Sequence, residues 1–368
     1  MMTARIPGLA CLSILCGILV AGLWPFQRPK NAVTWSANEN GLRFGDYGTI
    51  LSSGTFHMTG SAEDASCSLE LWLQPELTKD SNTILSFSIP DNPLQVSLHQ
   101  YLSYLILRRE IRGGQDRTAV IGTEGVFRQI KPVFITITSG ALETKMYVDG
   151  ALADRFPQFQ LGKDFTGQIV IGTSPVANDS WQGELRGLAI YHQQLSSAQV
   201  LQHYETWTKR GRPEITNDER GIALYLFAEH GGNVVHNAIR PGIDLYIPER
   251  YTLLHQVFLN PPWKEYKPGW DSWRDMLINI AGFIPLGFVF CGYWSLVRPI
   301  SRPAFATIVL GFAVSLTIEI LQSYLPTRSS GTTDLITNTF GSFVGVKLFG
   351  SKVTRALAKV YSRSGTPE

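Results

Sequence analysis

Residues 319–341 read EILQSYLPTRSSGTTDLITNTFG, and this stretch decides how the second half of the chain folds. Glu319 stands near the end of an apolar run, Arg328 and Asp334 follow in and after a short loop, and Asn338 lies one turn into the next apolar run. Ionisable groups are expensive at membrane depth, so their gathering here calls for a reason. Just upstream, Ser315, Glu319 and Gln322 recur at spacings of four and three, which places them on one helix face. Glu319 lies six residues before Leu325, about 9 Å along a helix rising 1.5 Å per residue. The motif D-x-x-x-N-x-x-G occurs twice, at Asp275, Asn279, Gly282 and at Asp334, Asn338, Gly341, again with Asp and Asn on one face. The pattern predicts that Asp275, Asn279, Ser315, Glu319, Gln322, Arg328, Asp334 and Asn338 form one polar site at one depth, open to the outside. The competing reading makes Asp275 and Asp334 simple helix N-caps. Pro285 removes a backbone bond to Ala281 and shapes its helix, while Gly282, Gly287, Gly341 and Gly345 are expected to let helices approach closely.

Working outward, four segments meet the requirement of about 20 apolar residues for a span: 6–26, 276–297, 303–325 and a run starting at 335. The first carries no charge and reads as a retained anchor ahead of a cleaved signal peptide, although Ala21 and Gly22 could mark a cut. The last reaches Lys347 after twelve uncharged residues, so it spans only if Lys347 snorkels and the helix runs on through LFGSKVTRALAKVY. Arg298 and Arg302 occupy one tight loop, and Lys347, Lys352, Arg355, Lys359 and Arg363 fill the tail, whereas the opposite loop holds only Arg328. The positive-inside rule then places the tail and tight loop in the cytoplasm and the polar middle of the chain outside. An even number of spans puts the N-terminus inside.

That middle region has a different grammar. The 368-residue chain has room for about two domains, and its net charge of +2 carries no nucleic-acid footprint. Cys67 is the one cysteine outside apolar runs, so no internal disulfide supports the region. SCSLELWLQP (66–75), VFITITSG (133–140), TKMYVDGALA (144–153) and GQIVIGTSP (167–175) are short alternating runs bounded by turn residues. They predict a β-sandwich. LSSAQVLQHYETW (195–207) follows as an amphipathic helix with Val200, Leu201, Tyr204 and Trp207 toward a core. These phrases, with WQGELRGLAIYHQQLSSAQV (181–200), resemble laminin-G-like, concanavalin A-type lectin sandwiches over about 170 residues. The stretch 221–249 resembles the opening strands of such a domain, and it either completes the sandwich out of order or sits beside it. The expected organisation is an anchor at 1–30, a sandwich at 33–210, a linker with extra strands at 211–274 and a helical membrane domain at 275–361.

The lectin resemblance implies binding of carbohydrate, protein or calcium. Trp35, Trp72 and Trp181 are candidates for stacking on sugar rings, against the alternative that they are core. Asp179 is a candidate calcium ligand, against the alternative of a turn former. No E-x-D-x-x-E run occurs, and glycan hydrolysis needs a carboxylate pair, so binding is favoured over hydrolysis.

In the C-terminal part, NIAGFIPLGF (279–288), SLTIEILQ (315–322), Arg328 and DLITNTFGSFVG (334–345) resemble the VanZ-like family, named for a protein linked to resistance to the glycopeptide teicoplanin. The family's usual first membrane helix is not recognisable before Asp275, and the N-terminal anchor is the segment available to replace it. The resemblance implies a multipass protein of the bacterial cytoplasmic membrane. Its expected partners are membrane lipid and an envelope glycan, glycolipid or glycopeptide, with no nucleic acid and no cofactor beyond calcium in the sandwich. Rival readings are an enzyme acting on a lipid-linked substrate, with Glu319 as acid or base and Arg328 binding an anion, and a purely structural membrane domain. The sequence holds no metal-ligand cluster, P-loop or nucleophile elbow to favour the enzyme.

Overall fold

The computed structural model describes residues 5–37, 39–58, 66–111, 117–213, 215, 219–239, 243–262 and 270–351. The chain divides into two compact units, one of residues 28–256 and one combining residues 1–27 with 257–368.

Residues 28–256 form two antiparallel sheets. The first contains β1 (Val33–Trp35), β2 (Leu42–Phe44), β4 (Cys67–Pro75), β9 (Val133–Ser139), β10 (Glu143–Val148), β11 (Ala151–Pro157), β13 (Gly183–Tyr191) and β14 (Gly221–Tyr225). Its order is β1-β2-β13-β4-β9-β10-β11, with β14 paired to β13 beyond β2. The second contains β3 (Ile50–Phe56), β5 (Ser81–Ile89), β6 (Asn92–Tyr101), β7 (Tyr104–Ile111), β8 (Arg117–Thr123), β12 (Gly167–Ile171), β15 (Val234–Val235) and β16 (Leu245–Tyr246). Its order is β15-β16-β3-β12-β5-β6-β7-β8. Residues 221–249 therefore supply one strand to the first sheet and two to the second.

The alternation of β4 shows how its sequence builds two layers. Leu69, Leu71 and Leu73 enter the main core between the sheets, while Trp72 packs against a second apolar cluster on the other face of the same sheet. That second cluster lies under α2 (Ser197–Arg210), which starts with a Ser196–Gln199 capping box and ends at Gly211 in the left-handed conformation. Val200, His203 and Trp207 are its buried residues. Leu201, expected in the core, is instead exposed: buried His203 follows it by two positions, on a different side of the helix. The Asp149-Gly150 turn joins β10 to β11 as a two-residue hairpin, with both residues at positive φ, 50° and 78°. Cys67 is fully buried, and burial pushes its thiol pKa up.

The other unit is helical: α1 (Arg5–Leu23), α3 (Trp270–Gly292), α4 (Pro303–Gln322) and α5 (Thr332–Gly350), with a π-helical turn at Tyr293–Val297 after α3. Pro285 lies inside α3, which continues through it. Among the described residues, three helical segments are long and apolar enough to cross a membrane: Ile6–Leu23, Ser272–Val297 and Pro303–Gln322. The fourth expected span, α5, is a helix but is not among them. Its 19 residues are long enough at about 28 Å, yet they include Thr332, Thr333, Asp334, Thr337, Asn338, Thr339 and Ser342. Thr337 and Thr339 return their hydroxyls to carbonyls in the preceding turn, so part of that polarity is satisfied within the helix. α5 stops at Gly350, with Ser351 extended. The expected continuation through 352–361, and the tail charges Lys352, Arg355, Lys359 and Arg363, lie outside the described residues.

α1 packs on α3 and α4, giving Ile14, Leu15, Ile18, Leu19 and Leu23 to a core built on Phe283, Leu286, Val314 and Ile318. The closest helix contact is between α3 and α5. A Cβ added to Gly341 would meet Ile280 O at 2.3 Å, one on Gly345 would meet Ile284 O at 2.2 Å, and one on Gly287 would meet Ser342 O at 2.1 Å. Gly282 does not share this role, because nothing lies within 4 Å of its Cβ position.

Candidate functional site

The polar residues of the helical unit form cross-helix pairs centred on α5. Asn279 of α3 donates its Nδ2–H to Asp334 Oδ1 at 2.7 Å, and Asn338 donates to Ser315 Oγ of α4 at 3.0 Å. Glu319 of α4, only 1% exposed, accepts the backbone N–H of Gly331 at 2.7 Å. Gly331 is the N-cap of α5 and carries no side chain to cap it, so a carboxylate from a neighbouring helix does so, at the positive end of the helix dipole. Gln322 donates to Gly22 O of α1 at 2.7 Å, and Arg328 donates to Trp24 O. The loop is fixed from a further side: Asn260 N–H donates to Ser330 O, and Thr332 donates both its N–H and its hydroxyl to Asn260 O.

The predicted set is thus brought together in part. Asn279, Ser315, Glu319, Asp334 and Asn338 are linked between helices, and Gln322 and Arg328 bind the end of α1. Asp275 stands apart, 65% exposed in its side chain and 3.6 Å from Arg274. Nor is Asp275 an N-cap: it is the sixth residue of α3, which begins at Trp270. Asp334 is the third residue of α5, and Gly331 holds the cap position. The network is enclosed rather than open, since Ser315, Glu319 and Asn338 are all buried. The buried acceptors Gln322 Oε1 and Asn338 Oδ1 have no hydrogen-bond partner among the described residues.

In the sandwich, the three candidate tryptophans have three fates. Trp181 is fully buried, donates to Gln100 Oε1 at 2.9 Å and lies against Phe44, so it is core and cannot stack on a sugar. Trp72 has Trp207 edge-on at 6.3 Å and the Arg186 guanidinium over its ring at 5.7 Å, so neighbouring side chains occupy it. Trp35 is half-buried, and its indole N–H donates to Gly232 O at 2.9 Å. It lines a cleft of about 570 Å³ together with Ser36, Arg43, Gln74, Glu184 and Arg186. Asp179 accepts the Thr83 hydroxyl at 2.6 Å. Thr83 also meets His99 Nδ1 at 3.1 Å, and burial, then the nearby Arg108 charge, push the His99 pKa down to about 4. Among the described residues no group of three or more His, Cys, Asp or Glu could hold a metal ion.

A cluster that sequence reasoning missed lies beneath α2. His203 Nδ1 is 2.9 Å from Glu70 Oε1 and its Nε2 is 3.1 Å from Glu219 Oε1, with all three residues buried. Tyr191 and Trp207 also donate to Glu70. The sequence separations of 133 and 16 residues leave no local spacing signal.

The architecture defines a lectin-like β-sandwich joined in one chain to a bundle whose helices include three long and apolar enough to cross a membrane. Residues 46–201 match the model of the concanavalin A-like lectin/glucanases superfamily, and residues 221–353 match that of VanZ/LLP1. The chain therefore carries a laminin-G-like domain and a C-terminal VanZ-like domain. The VanZ/LLP1 match begins at residue 221, so it takes in β14, β15 and β16, which pair into the sandwich sheets. Protein VanZ of Enterococcus faecium is 34% identical over 79 residues, which are 22% of this chain and 46% of that protein. The match thus spans about half the length of this curated relative. Among solved structures, the native heptameric SAP-like pentraxin of Limulus polyphemus is similar at 13% identity with a TM-score of 0.36, covering 60% of this chain and 96% of that one. The binding domain of botulinum neurotoxin DC in complex with rat synaptotagmin II has the same identity and TM-score, covering 50% of this chain and 46% of that one.

Proposed function

We propose that this protein acts at the bacterial cell envelope, where the sandwich recognises a glycan or glycopeptide outside the cytoplasmic membrane and the VanZ-like bundle holds it there. The observation that carries this reading is a concave polar cleft of about 570 Å³, lined by Thr34, Arg43, Gln74, Glu184 and Arg186, on a lectin-like scaffold. Concave sites with few, placed polar groups are where small ligands bind. The asymmetry of Arg298 and Arg302 against the lone Arg328 supports an outward sandwich. The similarity to VanZ supports a part in glycopeptide resistance. Within the bundle, the buried pairs around Glu319 serve to lock helices, and exposed Arg328 is the group available to a lipid or glycolipid head group. Recognition without turnover is the activity assigned. The test is retention of detergent-solubilised full-length protein on a glycan array, with the bound glycans recovered and weighed. Retention of intact glycans is expected; no retention on any glycan, or cleavage of the bound ones, would overturn the reading.

A further inference from the structure

We infer that the cleft on the outer face of the first sheet takes a ligand bearing a primary ammonium group, an amino sugar rather than its N-acetylated form; this rests on the reading of the sandwich as the recognising domain. Strand register puts the floor of the cleft in one row. Thr34 of β1 pairs with Arg43 of β2, Arg43 with Glu184 of β13, and Glu184 with Gln74 of β4. Residues directly opposite in an antiparallel pair share a face. Their chain neighbours Leu42, Phe44, Leu73 and Leu185 belong to the main core, so the row faces away from it. Trp35 pairs with Leu42 and packs on that core, so the floor itself is polar. Arg186 reaches the cleft through a β-bulge. Leu185 pairs with Leu73 and Gly187 with Trp72, which leaves Arg186 as the extra residue of β13. Its guanidinium lies over the Trp72 ring at 5.7 Å. The volume, about 570 Å³, falls within the range of roughly 300–1,000 Å³ usual for small-ligand sites.

The ion pairs decide the charge of the ligand. The ionisable lining is Glu39, Glu76 and Glu184 against Arg43 and Arg186, a formal excess of one negative charge. Glu184 is filled, accepting from Ser36 through Oε1 and from Arg186 through Oε2 at 2.9 Å. The guanidiniums are committed as well: Arg186 also reaches Glu39 at 2.7 Å, and Arg43 pairs with Glu76 at 2.8 Å. What stays open is acceptor capacity on the rim. Glu39 is bound through Oε2 and Glu76 through Oε1, and their side chains are 60% and 40% exposed. Among the described residues the second oxygen of each has no partner. An ammonium brings three N–H donors and a positive charge, whereas an ionised carboxylate only accepts. An ammonium in the cleft therefore meets open acceptors and cancels the excess charge while both pairs stay intact. A ligand carboxylate or phosphate adds to the excess and is penalised. An acetamide at the same position supplies one N–H and no charge.

The experiment measures binding by the full-length protein in phosphatidylcholine nanodiscs, whose lipid carries no net charge. It is run at about pH 6, where carboxylates are ionised and amines protonated. The probes are a glucosamine tetramer and chitotetraose, its N-acetylated counterpart, which differ only at nitrogen. The glucosamine tetramer is expected to bind about tenfold more tightly, with the difference shrinking as salt rises from about 0.1 to about 1 M. The double variant Glu39→Gln, Glu76→Gln should bring the two probes within about twofold. Its melting temperature should stay within a few degrees of the parent's, because both side chains are exposed. Glu205→Gln, at an exposed acid of α2, should leave the tenfold difference in place. Equal binding of the two probes, or tighter binding of chitotetraose, overturns the ligand class. A preference that survives the double variant, or is lost equally in Glu205→Gln, overturns the location. Failure of both tetramers while the glycan array retains another glycan overturns this inference alone. Failure of both together with an empty array overturns the proposed function as well.

Discussion

Glu319 and Gly331 are joined by a 2.7 Å hydrogen bond from a backbone N–H to a buried carboxylate, closing the N-terminus of α5 with a side chain from α4. The pair explains why an acid stands in an apolar helix: Gly331 has no side chain to cap α5, and a buried N–H left unmet is costly. Glu319→Gln keeps an acceptor and loses the charge, so it should lower stability by about 0.3–2 kcal/mol. Glu319→Leu removes the acceptor altogether and should cost about 1–3 kcal/mol more. Thermal unfolding of the two variants in the same detergent checks the ranking. Equal stability of Glu319→Leu and the parent would refute the capping role.

Gly345 approaches Ile284 O, Phe288 N and Gly287 Cα of α3 so closely that a methyl group would lie 2.2–2.9 Å from all three. These are backbone atoms, which cannot rotate away. Gly345→Ala should therefore separate the helices at a cost of about 1–3 kcal/mol, and Gly282→Ala, facing open space, should be neutral or slightly stabilising. Melting temperatures that fall for Gly345→Ala alone would support the contact; equal behaviour of the two variants would refute it.

The duplicated D-x-x-x-N-x-x-G motif shows how much of this was legible. Its two asparagines do bridge helices, Asn279 to Asp334 and Asn338 to Ser315, because a spacing of four fixes a face whatever the register. The two aspartates diverge because helix starts are set by residues outside the motif: α3 is already helical for at least five residues before Asp275, whereas α5 begins only two before Asp334. In the sandwich, β4, β9 and β12 were readable from alternation within the strand. The pairing of β14 with β13 and of β16 with β3 was not, since the partners of β16 lie nearly 200 residues away. Glu319 was recognisable as exceptional, but its partner is a backbone group, which no side-chain pattern announces.

Gln322 and Arg328 both donate to carbonyls at the end of α1, those of Gly22 and Trp24. A cut after Ala21 or Gly22 would remove four apolar side chains, Ile14, Leu15, Ile18 and Leu19, from the core around Phe283, and a cut after Gly22 would also remove the carbonyl that Gln322 uses. The mature protein is accordingly expected to retain α1. Intact mass measurement of protein purified from membranes checks this directly. Deletion of residues 1–27 should lower the bundle's melting temperature by many degrees, and an equally stable truncated bundle would refute the role of α1.

His203, finally, makes the stability of the sandwich depend on pH in a defined direction. Burial alone would lower its pKa, but hydrogen bonds and charges from Glu70, with Glu219, outweigh burial and raise it above the ordinary value. A folded-state pKa raised above about 6.5 contributes stability that is fully present below that value and is lost as pH rises through the folded pKa. Other shifted groups act elsewhere: burial, opposed by Arg109, pushes Asp164 up to about 6, and His99 is held down to about 4. Both have largely finished titrating by about pH 7, and Cys67, whose thiol burial pushes up, adds a fall of its own only as pH nears the ordinary thiol value of about 8.5, so a falling sandwich melting temperature between about pH 7 and about pH 8 reports chiefly on His203. Tyr191, also at Glu70, is pushed well above the usual tyrosine range and stays protonated there. His203→Gln leaves Glu70 and Glu219 without their cation and should cost about 3–5 kcal/mol at neutral pH. The same variant should flatten the slope across the window. A slope equal to that of the parent protein would show that His203 does not carry the charge assigned to it.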